Sequence, residues 1–212
     1  MKVLQILPQL NIGGVERGTL DLSRALINRG YKSFVISGGG VLVDELKRTG
    51  AEHIELPIHH KSLRTLSLAN ELSETISNID PNIVHVRSRM PAWVNYRAFK
   101  KLKKKPLLIS TFHGLYSFPI YSKVMSFVDH SIAISNTVES YILENYKLEK
   151  KDITIIPRGC EPTEFNKDLI NPEDRNNILR EFPQIRDKKV LTIPGRITKW
   201  KGVVEFIELL SL

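Results

Sequence analysis

Short apolar segments alternate with amphipathic segments along most of this chain, and the alternation restricts the fold more than any other feature of the sequence. The predicted strands are residues 3–7, 33–37, 52–56, 83–86, 107–114, 130–135 and 153–156. Between them the burial pattern has helical spacing, as at Val15, Thr19, Leu22 and Leu26. Strands joined through helices pair in parallel, with helices on both faces of the sheet. The sequence therefore predicts an α/β fold with a mostly parallel sheet.

A pair of glycines, Gly13 and Gly14, separates the first predicted strand from the first predicted helix. Glycine lets the backbone turn sharply, and the N–H groups at the start of a helix attract anions. A diglycine is also the usual tight connection between a strand and a helix, and the spacing here is not the G-x-G-x-x-G pattern of dinucleotide-binding proteins. The pair alone therefore does not identify a ligand.

The residues that directly follow the predicted strands form a more informative group. In parallel sheets, ligands bind beyond the carboxyl ends of the strands. Residues that bring charge, hydrogen-bonding groups or an open backbone to that edge are Gly13, Gly14, Arg87, Arg89, His113, Gly114, Ser135 and Arg158. We expect the ligand-binding site among them.

The chain has 212 residues, 42% of them hydrophobic, which suffices for one domain and part of another. Residues 1–159 form the first predicted domain. Residues 160–187 are rich in polar residues and predict a linker with one short helix, and residues 188–212 predict one strand, 190–193, and one helix. Because one strand and one helix cannot bury a core, we expect the chain to end inside a second domain.

Features of the sequence also favour a cytoplasmic protein. No apolar run reaches the roughly 18 residues of a membrane-spanning helix, and Pro8 interrupts the N-terminal run before it reaches the length of a signal peptide. Cys160 is the only cysteine, which excludes an internal disulfide and fits a reducing compartment. We interpret Cys160 as a packing residue.

The net charge of +8 is partly concentrated in one basic run, residues 97–105, which contains Arg97, Lys100, Lys101, Lys103, Lys104 and Lys105. One interpretation is a solvated helix end, where the helix dipole stabilises cations. Another is contact with an anionic membrane surface, which would make the protein peripheral on the inner face of the membrane. Nucleic acid is disfavoured as a partner, because no recognition motif or aromatic stacking pattern accompanies the run.

Several short motifs, in a fixed order, resemble those of the GT-B glycosyltransferases of family 4, also called group 1 glycosyltransferases. Gly13-Gly-Val-Glu16 resembles the family's glycine loop, and Asp80-Pro-Asn-Ile-Val-His85 resembles its PDIVH strand entry. The remaining matches are Ser110-Thr-Phe-His-Gly114 with T-x-H, Ile134-Ser135 with the start of a helix, Ile156-Pro-Arg-Gly159 with IPNG, and Gly195-Arg-Ile-Thr-Lys-Trp-Lys-Gly202 with GRLTRWKG. The resemblance implies that 1–159 is a Rossmann-like, acceptor-side domain and that 188–212 begins a truncated, Rossmann-like donor domain.

The resemblance also implies roles for particular residues. Arg196 and Lys201 would bind the donor diphosphate, and Gly13 and Gly14 would let the backbone approach it. His113 matches a histidine close to the reacting sugar, which makes it the catalytic candidate. The candidates for acceptor binding are Glu16, Arg87, Arg89 and Ser135. His59 and His60 are interpreted as surface residues, and no metal and no cofactor is expected.

The implied reaction transfers a sugar from a nucleotide sugar to a glycan or lipid-linked acceptor, with retention at the anomeric carbon. The implied pathway is the synthesis of cell-surface polysaccharide or lipopolysaccharide. Without most of the donor domain we expect the 212 residues alone to be inactive. Two other interpretations remain: a non-catalytic binding module that self-associates through exposed apolar residues from Val190 onward, and a nicotinamide-dependent oxidoreductase, which the glycine spacing disfavours.

Overall fold

The computed structural model describes residues 1–60, 62–116, 119–162, 165–195 and 197–210. The chain divides into two compact units, Met1–Arg158 and Gly159–Leu212. The first unit contains a single seven-stranded sheet with the strand order β3-β2-β1-β4-β5-β6-β7, and all neighbouring strands in it are parallel. The predicted α/β fold with a parallel sheet is therefore confirmed.

The strands follow the predicted apolar segments closely. They are β1 Lys2–Ile6, β2 Lys32–Ser37, β3 Glu52–Glu55, β4 Ile83–Val86, β5 Leu107–Phe112, β6 His130–Ala133 and β7 Ile153–Ile155. The helices are α1 Gly14–Asn28, α2 Val43–Arg48, α3 Leu63–Ser67, α4 Ala69–Ile79, α5 Arg89–Phe99, α6 Pro119–Ser122, α7 Asn136–Asn145, α8 Pro172–Glu181 and α9 Val203–Leu209. Within the described ranges no helix is both long and apolar enough to cross a bilayer.

Helices cover both faces of the sheet because side chains alternate along each strand. On β1, Leu4 and Ile6 belong to a large apolar cluster with residues of α4, α5 and α7. Leu7, just past the end of β1, belongs to a second, smaller cluster with Leu20 of α1 and Leu46 of α2. Gln5 shares the α1 side of the sheet and is fully buried. A polar side chain therefore lies inside one of the two helix–sheet interfaces.

The loops after β1 and β2 are bound to each other through their backbones. Leu10 N–H donates to the Gly39 carbonyl at 2.8 Å, and Leu42 N–H donates to the Leu10 carbonyl at 2.8 Å. Gly40 has a φ of 139°, and a Cβ atom there would collide with the backbone of Leu10. The glycines that follow β2 therefore permit close contact between two loops at the carboxyl-terminal edge.

Several local predictions were wrong in detail. Asn136 was the predicted cap of α7, but the cap is Ser135, whose hydroxyl accepts from Val138 N–H, because Ser135 has the extended backbone that a cap requires. The helix predicted around Ile120, Val124 and Phe127 consists of α6 followed by a 3₁₀ turn, Lys123–Ser126. Cys160 is exposed rather than packed, because it follows the point where the chain leaves β7 and the first unit.

The second unit has helical but no strand structure among its described residues. Residues 190–193, predicted as a strand, are extended without a ladder partner, and a strand needs hydrogen bonds from a neighbour. The predicted short helix in the polar segment is confirmed as α8, capped by Asn171. Val190 and Leu191 are exposed, as are Ile197, Val204 and Ile207. Self-association through these residues stays a prediction.

Candidate functional site

The candidate site lies at the carboxyl-terminal edge of the central strands β1, β4 and β5. The strand order reverses its direction of growth between β1 and β4, which is the position where open α/β sheets have their ligand crevice. Gly13 and Gly14 follow β1, Arg87 follows β4 directly, and His113 follows β5 directly. Arg158 follows β7 and reaches the same group. The sheet therefore brings together residues that are far apart in the sequence.

The two glycines form the start of α1, and each lies against a charged side chain. Gly13 is the N-terminal cap, and the carboxylate of Glu16 lies where a Cβ atom of residue 13 would stand. A Cβ atom on Gly14 would lie 2.5 Å from Nη1 of Arg158. The absence of side chains at 13 and 14 therefore leaves room for one anionic and one cationic group beside the positive end of α1.

The contact between Arg158 and His113 determines where the imidazole proton lies. Arg158 Nη2 is 3.1 Å from His113 Nδ1. Because a guanidinium has only donors, Nδ1 is the acceptor and the single proton of the neutral ring is on Nε2. Nε2 is buried and has no hydrogen-bond partner within the described part of the chain. His113 thus presents an N–H donor to whatever occupies this edge.

Arg87 is almost completely buried, with 7% of its surface exposed. Its Nη1 donates to Gln5 Oε1 at 2.9 Å, and Gln5 Nε2 donates to Ser23 Oγ at 2.9 Å and to the Thr19 carbonyl at 3.2 Å. Ser33 Oγ donates to Ser23 Oγ at 3.0 Å, which links β2 to the same network. The guanidinium is therefore fixed from below by a buried polar network between the sheet and α1.

Burial and mutual repulsion lower the pKa values of the charged groups here. Burial, and then the charge of Arg158, lowers the pKa of Arg87 to about 10, although Glu16 and Asp21 act to raise it. Burial, followed by the charges of Arg87 and Arg158, lowers the pKa of His113 to about 3. Near neutral pH both arginines carry a positive charge and His113 is neutral.

Other predicted residues have different surroundings. Arg89 lies two residues after Arg87, but its guanidinium carbon is 4.9 Å from the ring centre of Tyr116 and 5.4 Å from that of Tyr121. Ser135 caps α7. Lys201 belongs to the second unit, and Arg196 lies outside the described residues. The roles suggested for Arg89, Ser135, Lys201 and Arg196 stay predictions.

The sequence interpretation missed Gln5 as a site residue and gave Arg158 no role. The available signal for Gln5 was a long polar side chain in the middle of an otherwise apolar buried strand, since such a side chain needs a partner. Ser23 carried a similar signal, because α1 buries Thr19, Leu20, Ser23 and Leu26 instead of the predicted stripe. Arg158 was identified as lying past a strand, yet sequence alone did not reveal its contacts with Gly14 and His113.

Neither the metal prediction nor the membrane prediction is tested by this geometry. Among residues 1–60, 62–116, 119–162, 165–195 and 197–210, no three His, Cys, Asp or Glu side chains are grouped as metal ligands. The basic run begins in the last turn of α5 and leads to β5, so it lies at the amino-terminal edge, opposite His113. Lys104 pairs there with Asp80 at 2.8 Å, and Lys100 lies 4.3 Å from the ring centre of Tyr96.

Comparison with known protein sequences gives the family of the chain. The model of Glycosyltransferase Family 4 matches residues 12–164. An uncharacterized glycosyltransferase of Methanocaldococcus jannaschii is 34% identical over 127 residues, which are 52% of this chain and 30% of that protein. In Homo sapiens, one subunit of phosphatidylinositol N-acetylglucosaminyltransferase is 23% identical over 189 residues, which are 80% of this chain and 38% of that protein.

Solved structures give the same result for the fold. A glycosyltransferase from Rickettsia africae has a TM-score of 0.82 and 34% identity, over 99% of this chain and 56% of that one. HepE of Anabaena, solved in complex with UDP and glucose, has a TM-score of 0.80 and 16% identity, over 100% of this chain and 58% of that one. The chain thus spans just over half the length of these two structures and less of the curated relatives. The resemblance noted in the motifs is confirmed, and the chain belongs to glycosyltransferase family 4.

Proposed function

We propose that this protein takes part in the transfer of a sugar from a nucleotide sugar to a hydroxyl group of a glycan or lipid-linked acceptor, with retention at the anomeric carbon. The observation that carries the proposal is the group formed by Gly14, Arg87, His113 and Arg158 at the crevice of the sheet, in a chain of family 4. The UDP and glucose in HepE and the name of the human relative support a nucleotide-sugar donor. Synthesis of cell-surface polysaccharide or lipopolysaccharide is the pathway we propose.

In this mechanism the protein positions its substrates and stabilises the leaving diphosphate. Arg196 and Lys201 bind the diphosphate, and the open backbone at Gly13 and Gly14 approaches it. His113 contributes its Nε2–H as a hydrogen-bond donor to an oxygen of the reacting sugar or acceptor. Because Arg158 occupies Nδ1, His113 holds a proton at Nε2 and does not accept one there. Its role is therefore to orient an oxygen and not to act as a general base.

The test measures release of nucleoside diphosphate from a panel of nucleotide sugars, using the polypeptide as it is purified from its source cells. We expect one donor to be consumed only when an acceptor fraction is present, with the product in the donor's anomeric configuration. His113→Asn keeps an oxygen near the position of Nδ1 for Arg158 but lacks the Nε2–H, so we expect the rate to fall about tenfold. His60→Asn, at an exposed histidine, is the matched control.

Two results would contradict the proposal. One is a product with inverted configuration, which would exclude the retaining reaction. The other is that no donor in the panel releases nucleoside diphosphate with any acceptor fraction. An unchanged rate in His113→Asn would remove His113 from the mechanism while leaving the reaction in place.

We propose separately that the basic run holds the protein on an anionic membrane. Lys103 and Lys105 are exposed at the amino-terminal edge of the sheet, together with Lys101 and Lys104. Replacing these four lysines by glutamine should abolish sedimentation with vesicles that contain phosphatidylglycerol, since each cation near such a surface contributes about 1 kcal/mol. Glutamine replacements of Lys147, Lys150, Lys151 and Lys167, which are also exposed, give a control with the same loss of charge. Equal binding by the two variants would refute the membrane role of the run.

A further inference from the structure

Two buried N–H groups at the carboxyl-terminal edge make no hydrogen bond to any described residue. One is Nε of Arg87 and the other is Nε2 of His113. Buried donors without a partner are rare in native proteins, because the group loses its hydration and gains nothing in return. Two of them on neighbouring strands β4 and β5 indicate that an acceptor oxygen from outside the chain binds at this edge.

The charges of this edge also lack a full counterion. Arg87 and Arg158 act on each other strongly enough that Arg158 is the largest charge effect on Arg87. No carboxylate in the described residues forms an ion pair with either guanidinium. Glu16 lies against Gly13, and Asp21 has Arg24 as its own partner at 4.0 Å. An anion bound between the two arginines would remove their repulsion.

Arg87 is held in place before any ligand arrives. Gln5 is itself fully buried and is fixed by Ser23 and the Thr19 carbonyl, so the guanidinium bonded to it has little freedom. Nη2 of Arg87 lies under α1, where a Cβ atom on Gly18 would be 3.1 Å away. Arg158 differs, because it is exposed and lies over Gly14. The pair thus combines one fixed and one accessible guanidinium, an arrangement that loses little freedom on binding.

We propose that Arg87 and Arg158 bind an anionic group, phosphate or carboxylate, that belongs to the acceptor, with His113 Nε2–H as a third donor. This inference rests on the proposed function and specifies an acidic acceptor. Guanidinium groups match the oxygens of phosphate and carboxylate. The diphosphate of the donor is assigned to Arg196 and Lys201, beyond the first unit. An anion site built entirely within the first unit is therefore available to the acceptor.

The experiment titrates the 212-residue chain with inorganic phosphate and follows binding by calorimetry. We expect saturable binding that weakens at least about tenfold in Arg158→Met, which removes two charge-assisted donors and keeps the apolar stem. Arg87→Met should weaken it as much, and its far-UV circular dichroism verifies folding; Arg158 is exposed, so its variant carries the test by itself if Arg87→Met misfolds. Arg97→Met removes the same charge from the opposite edge and should bind like the wild type.

A competition experiment distinguishes the acceptor from the donor as the source of the anion. UDP is added to the phosphate complex, and we expect the phosphate affinity to remain unchanged. If UDP displaces phosphate one for one, the pair belongs to the donor diphosphate and the proposal of an acidic acceptor is overturned. Absent binding, or equal weak binding by all four proteins, means an adventitious ion only and also overturns it. Phosphate binding needs no turnover, so a failure of sugar transfer would be recognised separately.

Discussion

Replacing Phe112 with alanine is expected to lower the free energy of unfolding of the first unit by about 3–5 kcal/mol. Phe112 is the last residue of β5 and is 0% exposed. Its ring packs against those of Tyr116 and Tyr146, both with centres 5.4 Å away. Truncation to alanine removes these contacts and leaves a cavity that the surrounding sheet and helices cannot fill. Urea unfolding followed by circular dichroism measures the loss.

Phe127→Ala provides the matched control for that prediction. Phe127 lies in the same unit and carries the same side chain, but 37% of its surface is exposed and it follows a 3₁₀ turn at the other edge of the sheet. Because its ring is partly solvated and its loss leaves no enclosed cavity, we expect a decrease of only about 1 kcal/mol. Equal losses in the two variants would show that Phe112 is not at the centre of the core.

The fold was predictable to the extent that it depends on local periodicity. β4 and α2 have the predicted bounds, because each is a short segment between clear turn residues. Failures occurred where a distant or exact backbone geometry decides. Ser135 and Asn136 are both residue types that cap helices, and only the backbone angles select Ser135. Residues 190–193 have a strand-like composition, but a strand also requires a neighbour that sequence pattern does not reveal.

The candidate site was predictable in position but not in its contacts. Parallel pairing places every strand's carboxyl end at one edge, which is why Gly14, Arg87, His113 and Arg158 were identified together from the sequence. Which of them meet depends on side-chain direction. Arg87 contacts Gln5 beneath α1, whereas Arg89, two residues later, packs on aromatic rings. The partner of Arg87 lies 82 residues away in the chain, and no local pattern connects the two.

Acidification is expected to destabilise the first unit through His113. Burial and the charges of Arg87 and Arg158 lower the pKa of His113 to about 3, while the unfolded chain keeps the ordinary pKa of 6.5. Between these values the unfolded chain binds a proton that the folded chain does not, so stability falls as the pH falls below 6.5. The loss from this residue is expected to reach about 3 kcal/mol at pH 4. Urea unfolding at pH 7 and at pH 4 measures it.

His113→Asn isolates this contribution from the other titrating groups. Asparagine does not titrate and keeps an oxygen for Arg158, so the variant should lose about 3 kcal/mol less than the wild type between pH 7 and pH 4. His85, whose pKa burial also lowers, titrates in both proteins and cancels from the comparison. His60→Asn, at an exposed position, should lose stability as the wild type does. If His113→Asn and the wild type lose equal stability, then His113 is not held neutral by Arg87 and Arg158, and the assignment of its proton to Nε2 fails with it.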